Sequence, residues 1–118
     1  MTTPVFCYGT LKRGNKRSIE NCYPYVQFVE RLTLTEFTLY KMPFRDVPVM
    51  VRSRGNVVHG EVYLVSDEVL KQLDIREGVR KGWYKRVFRI PEGVYVYLWE
   101  HTTLFFKHLG STFTIKGE

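Results

Sequence analysis

Short runs of β-branched and aromatic residues, bounded by turn formers, fill most of this chain, and a single stretch carries helical spacing. Such runs suit half-buried pleated strands. They fall at residues 4–8, 27–34, 36–41, 49–51, 57–65, 83–90 and 94–99. The second and third are joined tightly. Pro43-Phe44-Arg45-Asp46-Val47-Pro48 reads as a proline-punctuated loop, Arg54-Gly55-Asn56 as a turn, and Pro91-Glu92-Gly93 as the turn of a hairpin. The tail from Thr103 onward shows no clear period. Six or more strands without regular helix alternation exclude a doubly wound sheet and predict a compact mixed sheet or small barrel.

The helical stretch starts at Ser66, a good N-cap, with Asp67 and Glu68 where negative charge suits the helix dipole. Val69, Leu70 and Leu73 share one face. The helix is expected to end near Arg76 or Glu77, where Gly78 can take a left-handed termination. With 118 residues the chain is expected to form one domain, residues 1–118, around one core.

A net charge of +6 admits anionic partners. Lys12, Arg13, Lys16 and Arg17 form one basic cluster; Arg76, Arg80, Lys81, Lys85 and Arg86 form another. No nucleic-acid motif accompanies them, so both read as solvated faces and nucleic acid is not the expected partner. No apolar run nears the roughly 20 residues that span a bilayer. Met1-Thr2-Thr3-Pro4 lacks the basic and apolar regions of a secretion signal, which makes the cytoplasm the expected compartment. Cys7 and Cys22 then read as free thiols, Cys7 as core. His59, His101 and His108 lack metal-ligand spacing with either, and neither metal nor cofactor is expected.

Two segments carry chemistry. Tyr8-Gly9-Thr10-Leu11-Lys12 follows the apolar run Val5-Phe6-Cys7, so a strand feeds a glycine-started loop that can present backbone N–H groups to a small anion. A nucleotide phosphate loop is excluded, because Asn15 separates Gly14 from Lys16. The second segment is Leu73-Asp74-Ile75-Arg76-Glu77-Gly78. A carboxylate at a helix C-terminus is mildly disfavoured by the dipole, so the residues leave Glu77 open as an acid/base candidate or as a solvated glutamate at a helix end.

With Val58-His59-Gly60-Glu61-Val62-Tyr63 and Tyr84-Lys85-Arg86, these segments stand in an order that resembles the gamma-glutamylcyclotransferase-like family, and within it the small gamma-glutamylamine cyclotransferase branch. The resemblance covers residues 5 to about 99. It implies an α+β fold, a small mixed β-barrel with peripheral helices and a cavity at one end. It further implies that Gly9, Thr10 and Leu11 grip a gamma-glutamyl substrate through backbone amides beside Tyr8. Glu77 becomes the general acid/base, and Tyr84 lines the site. The implied reaction turns a gamma-glutamyl amide into 5-oxoproline and a free amine.

Arg76 departs from the family pattern, where an apolar or aromatic residue is common. Turned inward, it would pair with Glu77 and lower its pKa. The short segment between Gly78 and Tyr84 would open the pocket, and Phe44 and Pro48 are candidates for its wall. Two rival readings stay open. A non-catalytic metabolite-binding module would not need Glu77, and a basic nucleic-acid-associated protein would act through the cluster at Lys12.

Overall fold

The computed structural model describes residues 2–8, 19–44 and 47–112. Its frame is a six-stranded sheet in the order β4-β5-β1-β3-β2-β6. The strands are β1 (Thr2–Cys7), β2 (Gln27–Lys41), β3 (Pro48–Ser66), β4 (Tyr84–Arg89), β5 (Val94–Trp99) and β6 (Lys107–Gly110). Among the described residues two α-helices, α1 (Ile19–Cys22) and α2 (Asp67–Arg76), accompany it. β1 runs parallel to β5 and antiparallel to β3, so the sheet is mixed, and it curls into a half-barrel.

β1 lies inside the sheet with both faces covered, which is why Val5, Phe6, Cys7 and Tyr8 form an uninterrupted buried run. Two apolar clusters occupy the two faces. Phe6, Leu34, Phe37, Leu39, Met50 and Val96 belong to one. Val5, Ile19, Tyr63, Val69, Leu73 and Tyr97 belong to the other, which packs under the helices.

The expected pairs at 27–34 with 36–41, and 49–51 with 57–65, are two continuous strands instead. Thr35 pairs with Val57 and Phe37 with Arg52, so residues 53–56 bulge out of β3 opposite the single residue Glu36. Gly55 takes the left-handed conformation there, and its N–H donates to Glu36 Oε2 at 3.2 Å. The turn chemistry of Arg54-Gly55-Asn56 is thus spent on a bulge that bends the hairpin, the usual way a long ribbon is made to curl. α1 carries no signal in its four residues. β6 settles the ambiguous tail by pairing with β2.

α2 forms where its local chemistry directs. The Ser66 hydroxyl accepts the Val69 N–H at 3.2 Å, and Val69 and Leu73 are buried against the sheet. Ser66→Ala is expected to cost about 1 kcal/mol. Thermal denaturation should show this as a melting temperature lower by about 4 °C.

Candidate active site

The end of α2 is built to stop at one residue. Glu77 is the C-cap, and its N–H donates to the Leu73 carbonyl at 2.9 Å. Gly78 follows with φ 65°, and its N–H returns to the Ile75 carbonyl at 3.0 Å. A side chain at Gly78 would be strained in that left-handed conformation. The Gly78 carbonyl in turn accepts the N–H groups of Lys81 and Trp83, both at 3.1 Å, over the single 3-10 turn Val79–Lys81. The chain leaves Glu77 sharply and returns at once into β4.

That exit points Glu77 toward the sheet. Its charge is felt by Cys7 and Tyr8 on β1 and just beyond its end, by Tyr84 on β4 and by Tyr97 on β5. Each of these hydroxyl or thiol groups is pushed up chiefly by burial, and Glu77 adds to the shift. All four are therefore neutral at physiological pH. Burial also acts on Glu77, raising its carboxyl from 4.5 to about 7. The neighbouring Arg76 guanidinium opposes this, but desolvation outweighs it. The departure at position 76 therefore leaves the carboxyl poised near neutrality.

The tyrosines are fixed by backbone. The Tyr8 hydroxyl donates to the Tyr97 carbonyl at 2.8 Å and interacts with the Met50 backbone N–H. The Tyr84 hydroxyl donates to the Pro48 carbonyl at 3.2 Å, and the Tyr84 ring meets Trp99 edge-on at 5.4 Å. Pro48 thus serves the site through its carbonyl. Phe44, the other candidate for the wall, is fully exposed and takes no part.

Of the residues singled out in the sequence, Tyr8, Glu77 and Tyr84 come together. Gly9, Thr10 and Leu11, the expected anion cradle, lie outside the described residues, as does the basic cluster at Lys12, Arg13, Lys16 and Arg17. Sequence reasoning missed Tyr97, Asp74 and Arg86. The Tyr97 hydroxyl donates to Asp74 Oδ1 at 2.7 Å, and Arg86 Nη1 lies 3.1 Å from Asp74 Oδ2. The available signal was strand alternation, which sets Arg86 on the face of Tyr84, and Tyr97 on the face of Tyr95 and Trp99.

Among the described residues, no three His, Cys, Asp or Glu side chains gather as a metal site. No helix among them is long and apolar enough to cross a membrane. A neutral-range carboxyl beside neutral hydroxyls is suited to moving protons without ionising its neighbours.

A family model described as "Gamma-glutamyl cyclotransferase, AIG2-like" matches residues 5–112. Over 103 residues the sequence is 35% identical to a candidate gamma-glutamylcyclotransferase of Vibrio cholerae, covering 83% of each chain. The solution structure of protein YtfP from Escherichia coli matches with a TM-score of 0.73 at 25% identity, over 92% of this chain and 93% of that one. The crystal structure of an AIG2-like protein from Mus musculus matches with a TM-score of 0.73 at 23% identity, over 99% and 98% of the two chains, a likeness of fold.

Proposed function

This chain belongs to the gamma-glutamyl cyclotransferase, AIG2-like family, and we propose that it converts a gamma-glutamyl amide to 5-oxoproline and a free amine with Glu77 as general acid/base. The observation that carries this reading is the half-buried Glu77 carboxyl, held near pKa 7 by desolvation and facing the end of β1.

In such a substrate the alpha-amine and the gamma-carbonyl belong to one molecule. Holding the folded conformer therefore replaces a collision, and orientation of this kind supplies on the order of several kcal/mol. The alpha-ammonium first gives a proton to the Glu77 carboxylate. The freed amine then attacks the gamma-carbonyl, forming the ring C–N bond. Glu77 passes its proton to the amide nitrogen, and the old C–N bond breaks. The ring nitrogen gives up a second proton, which returns through Glu77 to the departing amine. Glu77 ends as it began. In this reading the amides of Gly9, Thr10 and Leu11 hold the substrate's alpha-carboxylate, while Tyr8 and Tyr84 line the cavity.

The test is direct. Purified protein incubated with a panel of gamma-glutamyl amides should release 5-oxoproline and amine in equal amounts. Because the ionised form of Glu77 starts the reaction, kcat/KM should fall about tenfold per pH unit on the acid side, with an apparent pKa near 7. An acid limb centred near 4.5, the ordinary carboxylate value, would mean that the base sits in water and would remove Glu77 from the role.

A further inference from the structure

We propose that Arg86, Asp74 and Tyr97 form a positioning clamp that holds the Glu77-bearing end of α2 against Tyr8, and so keeps water from the Glu77 carboxyl. This rests on the acid/base reading of Glu77 given above.

Helix ends fray, and the last turn of α2 has little apolar packing to prevent it. Leu73 is buried, but Ile75 is 70% exposed. Asp74 stands three residues before Glu77, so the two share a helix face. Asp74 is held twice: by the Tyr97 hydroxyl at 2.7 Å and by Arg86 at 3.1 Å. Both partners come from the sheet, where strand register sets Arg86 directly opposite Tyr97. The Arg86 guanidinium also lies over the Tyr95 ring, 5.2 Å from its centroid, which fixes the cation's place.

Tyr97 is the hinge pin of the arrangement. Its hydroxyl ties down the helix through Asp74, while its carbonyl accepts the Tyr8 hydroxyl at 2.8 Å. One residue therefore sets both Tyr8 and, through Asp74, the turn that carries Glu77. None of the three clamp residues needs to touch substrate. Their effect reaches the reaction through the placement of Glu77.

Among the described residues, the charged and titratable groups that act on Glu77 or feel its charge are Arg76 on its own helix, Cys7 and Tyr8 on and after β1, Tyr84 on β4 and Tyr97 on β5. Two variants separate placement from charge. Tyr97→Phe changes no charge. Arg86→Gln removes a cation, which by electrostatics alone would raise a nearby carboxyl. Loss of the clamp admits water and lowers it.

The measurement is a carbon-13 carboxyl NMR titration of Glu77 in the full chain, assigned with Glu77→Gln, alongside kcat and KM on a reactive gamma-glutamyl amide. Both variants should show the Glu77 midpoint at least one unit below its wild-type value, and kcat about tenfold lower with KM nearly unchanged. A folded Tyr97→Phe protein with an unmoved midpoint overturns the proposal. So does an Arg86→Gln protein whose midpoint rises. Should Tyr97→Phe fail to fold, Arg86→Gln decides alone, by the sign of its shift. If the wild type releases no 5-oxoproline from any amide, the proposed reaction falls, while the titration still decides the clamp.

Discussion

Glu77→Gln is expected to lower kcat by about a thousandfold on any gamma-glutamyl amide the wild type accepts, with substrate affinity nearly kept. General acid/base groups contribute roughly 10²–10⁴ to rate, and one carboxyl here serves both halves of the reaction. Glutamine preserves the shape but neither takes nor gives the proton. The same substitution should also stabilise the protein at alkaline pH, and this second effect is independent of any substrate. In the folded chain the carboxyl titrates at about 7 instead of 4.5, so the native state holds the proton more tightly than the unfolded chain does. Stability from this group is then complete below 4.5, falls as pH rises toward 7, and is level above it. The shift corresponds to about 2–3 kcal/mol, reduced by the partial exposure of the group. Glutamine carries no charge at any pH. Its variant should melt higher than the wild type at pH 8, and the difference should close at pH 5. Unchanged turnover would sink the acid/base role. A variant that melts lower than the wild type at pH 8 would show that the carboxyl is not desolvated.

The pairing of lost activity with gained stability separates a working carboxyl from an ordinary surface glutamate. A solvated glutamate at a helix end would move neither quantity much. Functional sites often retain groups that the fold would be more stable without, and the proposed role makes Glu77 such a group.

The placement of Glu77 at the end of α2 was legible because its signals are local. Ser66 starts the helix, Val69 and Leu73 give its buried face, and Gly78 stops it, all within a dozen or so residues. Tyr8 was legible for the same reason, as the residue where an apolar strand meets a glycine. Asp74 stood in plain view beside Glu77, but its partners lie 12 and 23 residues further along the chain, and only the pairing of β4 with β5 brings them to it. Whether Arg76 would prevail over burial at Glu77 was open in the sequence for a related reason. Its charge can be read from the chain, whereas the burial that outweighs it comes from β1, β4 and β5 packing around the helix end. The course of β2 and β3 was misread because turn chemistry does not say whether a glycine closes a hairpin or swells a bulge. Opposite Gly55 the partner strand supplies the single residue Glu36, and that decides it.

Gly60 gives the largest purely structural prediction. Gly60→Ala is expected to destabilise the fold by about 3 kcal/mol or more, and to lower the melting temperature by about 10 °C or more. A Cβ at Gly60 would lie 2.5 Å from Phe6 Cζ, 2.8 Å from Phe6 Cε1 and 2.6 Å from the Cys7 carbonyl oxygen. Phe6 is fully buried among Leu34, Met50 and Val96, so its ring has no room to turn away. The Cys7 carbonyl belongs to the backbone of β1, where that strand pairs with β3 through Cys7 and Glu61. Relief would therefore require β1 to move where it ends, one residue before Tyr8. The two sources of strain can be told apart. Adding Phe6→Leu to Gly60→Ala removes the ring contacts but leaves the carbonyl contact, so the double variant should recover only part of the loss. Full recovery would place the strain in the side chain alone. A melting temperature within about 2 °C of the wild type for Gly60→Ala would show that β1 and β3 do not approach as closely as drawn. Because β1 delivers Tyr8 to Glu77, the single variant should also lose turnover in whatever fraction remains folded, and that loss should persist in the double variant.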